Sequence, residues 1–231
     1  MSAKIVVPDT GVLLAVGFGP SLDPQAPLAL DALAMATAAG VPVLVPPSIS
    51  EELNERLQSL DSIYQILQET VHGLTDSRQL LSGLARAEQV LLTVKGKVKS
   101  PTARYYRAVE LEVAKLVNAN PNAPLLSIFA EVCVHAMLTK EVVKAGTHPS
   151  NVEFLAAPTP DRTPGGASVS DVSKADLVHL RSCQALGSAR NCIVIFVVLE
   201  RQLHTLQKEV AAAFPRVLVT NAHFLRAHLS D

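Results

Sequence analysis

Four short segments of this 231-residue chain are continuously apolar and rich in valine and isoleucine. Each segment is followed by a helical pattern or by the last residues of the chain. Apolar and polar residues do not alternate along these segments. Continuous apolarity over so short a length indicates strands buried on both faces, which is typical of a parallel sheet packed between helices. The predicted strands are Lys4–Pro8, Val41–Val45, Cys192–Val198 and Arg216–Thr220.

Between and after these strands, apolar residues recur with the spacing of helices. Pro27 near a first turn and Gly40 just past a last turn mark a helix over Ala26–Ala39. Ser48 and Glu51 have the spacing of a capping box, which predicts that another helix starts there. The other predicted helical segments are Ser48–Val71, Ser77–Leu92, Thr102–Asn118, Leu125–Lys144, Val172–Leu186 and Glu200–Phe214.

The order of these elements predicts one α/β domain with a large elaboration. The core would comprise residues 1–55 and 170–231, and an all-helical insertion would occupy residues 56–156, because no convincing strand pattern lies between Asn54 and Phe154. Residues 157–170 are rich in proline, glycine and serine, which predicts an exposed, mobile loop that returns the chain to the sheet.

Composition narrows the class of protein further. Apolar residues make up 48% of the chain and the net charge is −1, so a folded domain is expected and any surface for nucleic acid must be local. The three cysteines lack CxxC spacing, which indicates small buried side chains in a reducing compartment. No apolar run approaches the roughly 20 residues of a membrane span, and no signal peptide is recognised, so we expect a cytoplasmic protein without membrane attachment.

Acidic residues cluster around one predicted edge of the sheet. Asp9 directly follows the first strand, Glu52 begins the helix after the second, and Glu200 follows the third by two residues. Asp176 begins the helix that precedes the third strand. If the four carboxylates meet, repulsion and desolvation raise their pKa values, and a hard cation such as Mg²⁺ or Mn²⁺ relieves both costs. Thr10 can orient a ligand water or donate a hydrogen bond to a carboxylate.

Two of these acids also have ordinary structural explanations. Ser173 and Asp176 have capping-box spacing, so Asp176 can serve to close a helix cap. In that case Asp171 is the alternative third acid. Glu200 suits the first turn of a helix, where the helix dipole favours a negative charge. The sequence leaves these alternatives open.

The order of the acidic motifs resembles that of PIN-domain nucleases. In that family the first strand ends in an Asp-Thr-Asn-Val-Leu-like motif, and a Glu-Leu pair starts the helix after the second strand. A third acid opens a later helix with a small residue about seven positions on, a fourth acid ends the next strand, and a Phe-Leu pair often follows the last strand. The matching residues are Asp9 to Leu14, Glu52-Leu53, Asp176 with Cys183, Glu200, and Phe224-Leu225.

The resemblance covers roughly residues 3–55 and 170–228 and implies both a fold and an activity. The implied fold is a PIN-like parallel sheet flanked by helices on both faces. The implied activity is hydrolysis of single-stranded or structured RNA at a Mg²⁺ or Mn²⁺ site formed by Asp9, Glu52, Asp176 and Glu200. An antitoxin-like or other protein partner, and self-association into a homo-oligomer, stay open.

The chain departs from the family pattern at two positions. Gly11 stands where the family has asparagine, and Glu200 stands where it usually has aspartate. In a second register the family's Val-Thr-x-Asp strand falls on residues 219–222, and the fourth acid is lost to Ala222. That register separates the third and fourth acids by about 45 residues, more than the family pattern allows. A catalytically degenerate scaffold that binds nucleic acid or a protein is therefore the alternative to an active nuclease.

Residues 95–107 concentrate positive charge around two tyrosines. Lysine and arginine bind phosphates, and tyrosine stacks on unpaired bases, so this segment is a candidate grip for nucleic acid. The competing interpretation is a solvated loop and helix start. The candidate residues are Lys95, Lys97, Lys99, Arg104, Tyr105 and Arg107. The seven histidines show no HxxxH or HExxH spacing, so a zinc site is not expected.

Overall fold

A computed structural model of the chain describes residues 3–58, 60, 74, 79, 82–83, 111–120, 122–159, 169–199 and 201–229. Contacts divide the chain into two compact units, one formed by Met1–Leu53 with Gly146–Asp231 and the other by Asn54–Ala145. The described elements, in chain order, are β1 (Lys4–Pro8), α1 (Thr10–Phe18), α2 (Ala26–Ala38), β2 (Leu44–Val45), α3 (Pro47–Gln58), α4 (111–119), α5 (Leu125–Gly146), β3 (Glu153–Phe154), α6 (Lys174–Arg190), β4 (Ile193–Val198), α7 (Arg201–Thr205), α8 (Gln207–Ala213), β5 (Val217–Asn221), a 3-10 turn (Ala222–Phe224) and α9 (Leu225–Leu229).

The strands of the first unit are all parallel and lie in the order β3-β2-β1-β4-β5. β1 pairs with β4, placing Pro8 opposite Val197, and β4 pairs with β5. β2 pairs with β3, and a bridge between Val6 and Val43 joins that pair to β1. The chain adds strands on one side of β1 and then on the other. Such a reversal is a topological switch point, and ligands of open α/β sheets bind beside it at the carboxyl edge.

Helices cover both faces of this sheet. On one face, Val6 and Ile195 join a buried cluster with residues of α1, α2 and α9. On the other face α6 packs so closely that a Cβ added to Gly187 would lie 3.4 Å from the Val194 side chain. Neighbouring residues of a strand point to opposite faces, so both faces are buried, as the continuous apolar runs predicted. The α/β class is therefore confirmed.

The four predicted strands are present, although β2 comprises only Leu44 and Val45 of the predicted Val41–Val45, and one strand was missed. β3 consists of Glu153 and Phe154, lies parallel to β2, and falls within the segment predicted to contain only helix. That prediction is wrong at this point. A two-residue strand whose side chains are exposed or half-buried has no apolar run to reveal it.

The helix α1 was also not predicted. It follows β1 after a single residue, and eight of its nine residues are buried, so its sequence shows no polar face. Gly17 and Phe18 belong to this helix, which ends where Gly19 adopts a φ of 69°. The predicted helix Glu200–Phe214 is two short helices, α7 and α8. Predicted segments at 61–73, 84–110 and 160–168 lie outside the described residues.

The three cysteines and the longest described helix fit the expected chemistry of a folded core. Cys133, Cys183 and Cys192 are buried and form no disulfide, as predicted for small core side chains. The helix α5 spans 22 residues but carries charges along its length. In the part of the chain that the structure covers, no helix combines the length and apolarity needed to cross a membrane.

Candidate active site

Asp9 lies at the carboxyl edge of the sheet, directly after β1. Its backbone N–H donates to the carbonyl of Val197 in β4 at 2.9 Å, so it continues the ladder between the two strands. Its Oδ2 accepts the N–H of Gly11 at 3.3 Å and thereby caps α1. Asp9 as a whole residue is half-buried. The carboxylate therefore stands at the switch point of the sheet.

Glu52 reaches the same edge from α3, which starts two residues after β2. Its Oε2 accepts a hydrogen bond from the Thr10 hydroxyl at 2.9 Å and lies 2.6 Å from His179 Nε2. Because a carboxylate only accepts hydrogen bonds, His179 donates through Nε2 in this contact. Thr10, predicted to support a carboxylate, does so through Glu52. The Glu52 side chain is 21% exposed, so it lies at the edge of the pocket rather than in the core.

His179 is buried and links α6 to α3. Besides its contact with Glu52, its Nδ1 lies 3.4 Å from the hydroxyl of Ser48. The Ser48 hydroxyl donates to Ser182 at 2.9 Å, which ties the two helices together again. Since α3 begins at Pro47 and Ser48 faces α6, the predicted capping box of Ser48 is wrong. Both ring nitrogens of His179 are thus oriented by neighbouring side chains.

Asp176 opens α6, which runs antiparallel to β4 and therefore starts over the carboxyl edge. The cap considered from the sequence is formed: Asp176 N–H donates to Ser173 Oγ at 3.1 Å, and that hydroxyl donates to Asp176 Oδ2 at 2.7 Å. The charge of Asp176 nevertheless acts on Asp9, whose pKa it raises. Asp171, the alternative third acid, is exposed and has a left-handed backbone with a φ of 67°.

The pKa of Asp9 is raised to about 6, mainly by burial. The charge of His179 and the Gly11 N–H lower the pKa, while the negative charges of Glu52 and Asp176 raise it. Acids from three separate parts of the chain therefore share one electrostatic environment, in which the ionised form of Asp9 is unfavourable.

The same acids raise the pKa of His179. Burial of the imidazole lowers its pKa, but the hydrogen bond to Glu52 and the charges of Asp9, Glu52 and Asp176 together raise it by more. Next to this group, the thiol of Cys183 is fully buried, and burial together with the charge of Asp9 raises its pKa well above the usual range. Cys183 is therefore a small neutral neighbour of the pocket and not a nucleophile.

The donor atoms of this pocket are suited to a hard cation. Mg²⁺ prefers oxygen ligands and is usually bound through one or two carboxylates, with water molecules completing its coordination. Among the residues that the structure covers, no three His, Cys, Asp or Glu side chains are arranged to hold an ion together. A site in which one or two of Asp9, Glu52 and Asp176 are the direct protein ligands fits both observations.

Some predicted site residues cannot be placed. Glu200, the proposed fourth acid, lies outside the described residues, although it follows the end of β4 by two positions. The basic candidates likewise lie outside them; these are Lys95, Lys97, Lys99, Arg104, Tyr105 and Arg107. Their roles stay predictions from the sequence.

Sequence analysis assigned no role to His179, which contacts both Ser48 and Glu52. A signal was present, because Asp176, His179 and Cys183 are spaced three and four residues apart and so share one face of α6. That spacing marks a face but not what the face contacts. Only the fold brings α3 against it.

Comparison with known proteins gives no further assignment. No family model matches the sequence, and neither the curated proteins nor the solved structures contain a significant match.

Proposed function

We propose that this chain is a metal-dependent endoribonuclease of PIN type. The protein ligands of its Mg²⁺ or Mn²⁺ would come from Asp9, Glu52 and Asp176, with Glu200 as the fourth acid. The observation that carries the proposal is that Asp9 ends β1 at the switch point of a parallel sheet while the adjacent Thr10 donates to Glu52 at 2.9 Å, which brings two acids from distant segments to one edge. The PIN-like fold and the role of the middle residues as an insertion belong to the same proposal.

The residues around the carboxylates have distinct tasks in this proposal. Thr10 and His179 hold Glu52 from two sides, and Ser48 holds His179, so the position of one acid is fixed before any ligand binds. Asp9 contributes a carboxylate whose ionised form is disfavoured by burial and lacks a full compensating charge. A bound divalent cation would supply activation of a water and neutralisation of the phosphodiester charge.

A second candidate function is a scaffold that binds nucleic acid or a protein without cutting it. The observation in its favour is the 2.6 Å contact of His179 with Glu52, because an imidazole of raised pKa supplies positive charge among the acids from the protein itself. Gly11 in place of the family's asparagine points the same way. This candidate predicts RNA binding without metal-dependent cleavage.

The deciding experiment measures Mn²⁺-dependent cleavage of single-stranded RNA by the wild type, Asp9→Asn and Asp171→Asn. We expect Asp9→Asn to lose roughly 100-fold or more of the activity, the order of loss seen when a charge-stabilising group is removed. Asp171→Asn is the matched control, since the proposal assigns the third acid to Asp176, which acts on Asp9, and not to the exposed Asp171; it should cleave like the wild type. Equal cleavage by the wild type and Asp9→Asn rejects the nuclease proposal.

The scaffold candidate is tested with the basic segment. Neutralising Lys97, Lys99, Arg104 and Arg107 together should weaken RNA binding if that segment grips phosphates. A wild type that binds RNA, never cleaves it with Mn²⁺, and loses binding in this variant would establish the scaffold. Unchanged binding by the variant would show that the basic segment does not bind RNA, in the nuclease or in the scaffold.

A further inference from the structure

Phe224 is the one aromatic residue among the exposed large hydrophobic side chains of the described part of the chain. It is 56% exposed, whereas the others are aliphatic or methionine. Its ring stacks on the imidazole of His204, with the ring centroids 5.4 Å apart and the planes inclined by 13°. The stack is offset, so His204 lies against only part of one face of the ring, and the exposed remainder of the side chain can take a further contact.

The local fold holds this ring in place. Asn221 ends β5 and caps the 3-10 turn by accepting the N–H of His223 at 3.1 Å, and its amide donates to the carbonyl of Leu199 at 3.2 Å. Ala222 and Leu225, which flank the exposed residues His223 and Phe224 in the chain, are fully buried. The exposure of Phe224 is therefore a feature of a fixed turn and not of a frayed end.

The stack lies at the same edge of the sheet as the acidic pocket. His204 belongs to α7, which follows β4, and Phe224 follows β5, so both stand beyond the carboxyl ends of the strands. β5 is two strand spacings from β1, which corresponds to about 10 Å. About three nucleotides of a stacked strand, at roughly 3.4 Å each, cover that distance.

We propose that Phe224, backed by His204, stacks on an unpaired base of a single-stranded nucleic acid that runs along this edge. The inference rests on the proposed function for naming nucleic acid as the ligand. An exposed aromatic ring accepts any base, since every base has a flat π-face. Bases within a duplex already stack on their neighbours, so the site selects single strands.

The chain contains no tryptophan, which makes a direct test possible. Phe224→Trp introduces a single tryptophan at the proposed contact, and its emission is excited selectively at wavelengths where the three tyrosines do not absorb. Ala39→Trp is the matched control, because Ala39 is exposed at the end of α2, where the chain enters β2 from the opposite edge of the sheet. Each variant is titrated in EDTA with a short single-stranded oligoadenylate and with the corresponding duplex.

We expect the single strand to quench the fluorescence of Phe224→Trp and the duplex to leave it unchanged, with no quenching of Ala39→Trp. Affinity for the single strand should fall about 5- to 150-fold in both Phe224→Ala and Phe224→Leu, the range that base stacking on an aromatic ring contributes. Phe224→Tyr should bind like the wild type. Leucine keeps the apolar contact but removes the ring, so it separates stacking from simple burial.

Several results would overturn the inference. These are an unquenched tryptophan at 224, equal quenching by the duplex, or full affinity in Phe224→Leu. Fluorescence that changes with protein concentration before RNA is added would assign the ring to contact between copies of the chain instead. The titrations need no cleavage, so the two proposals can fail separately. Quenching without nuclease activity would support the stacking site and reject the nuclease. Cleavage without quenching would support the nuclease and reject the stacking site.

Discussion

At the scale of single residues, the pocket concentrates groups whose charges disfavour the folded state. A carboxylate at a strand end is costly to desolvate, and Asp9 has two further acids near it, so its pKa rises to about 6. His179 compensates only part of this negative charge. Groups held in an unfavourable charge state at a cleft are characteristic of functional sites, because stability is given up there for chemistry.

This cost predicts that Asp9→Asn is more stable than the wild type at pH 8. A carboxyl group whose pKa is raised on folding binds protons more tightly in the native state, so stability decreases as the pH rises from about 4 to above 6. Asparagine keeps the cap of α1 without the charge. The free energy of unfolding should therefore increase by about 1–3 kcal/mol at pH 8, and the gain should shrink towards pH 4.

Urea unfolding in EDTA at both pH values measures this difference. Asp171→Asn is again the control: its backbone lies in the left-handed region that asparagine tolerates well, and an exposed substitution there should change stability by less than about 0.5 kcal/mol. A wild type more stable than Asp9→Asn at pH 8 would show that attraction to His179 outweighs burial and repulsion.

The sequence singled out Asp9 as a candidate site residue but not His179, and the difference has a physical reason. A charge at the end of a continuous apolar run is anomalous whatever surrounds it. A histidine on a helix face is ordinary until its partner is known, and its partner here, Glu52, is 127 residues away in the chain. Asp176 lies between these two cases. Its capping role could be predicted from the position of Ser173, but its effect on the pKa of Asp9 could not.

At the scale of elements, the sequence predicts those helices whose apolar residues recur periodically and those strands whose apolar residues form an unbroken run. β1 and β4 are continuously apolar because helices cover both faces, and their positions were predicted correctly. The helix α1 is buried on all sides and so lacks the polar stripe by which helices are recognised. β3 is too short for either signal.

A close approach between two elements gives a prediction at this scale. Gly146, the last residue of α5, faces Gly17 of α1, and an added Cβ would lie 2.9 Å from Gly17 Cα and 3.1 Å from its carbonyl oxygen. These are backbone atoms, which cannot rotate aside. Although alanine normally favours a helix over glycine, Gly146→Ala should destabilise the protein by about 1–3 kcal/mol, measured by urea unfolding.

The comparison is Gly11→Ala in the first turn of α1. There an added Cβ would meet Asp9 Oδ2 at 3.4 Å, which is ordinary van der Waals contact. This substitution should be neutral or stabilising by up to about 1 kcal/mol, since alanine restricts the unfolded chain. If Gly146→Ala behaves in the same way, the approach of Gly146 to Gly17 is looser than the structure indicates.

At the scale of the whole molecule, the pocket depends on chain order more than on composition. Asp9, Glu52 and Asp176 come from three separate segments of the first unit, and a reversal of strand order beside β1 brings these segments to one edge. The sequence predicted this edge for Asp9 and Glu52, because the carboxyl ends of parallel strands meet, and it left the placement of Asp176 open. It could not give their distances, since these depend on how α3 and α6 pack against each other.

The proposed cation site predicts that Mn²⁺ stabilises the folded protein. A ligand that binds only the native state raises the free energy of unfolding by about 2.7 kcal/mol at a concentration of 100 Kd. For a chain of this length that corresponds to an increase of roughly 5–10 °C in the unfolding temperature. Thermal unfolding with and without Mn²⁺ should show this shift in the wild type and in Asp171→Asn but much less of it in Asp9→Asn. Equal shifts in all three proteins would place the bound ions elsewhere on the protein. No shift in the wild type would show that Mn²⁺ does not bind, and that the positive charge next to the acids comes from His179 alone.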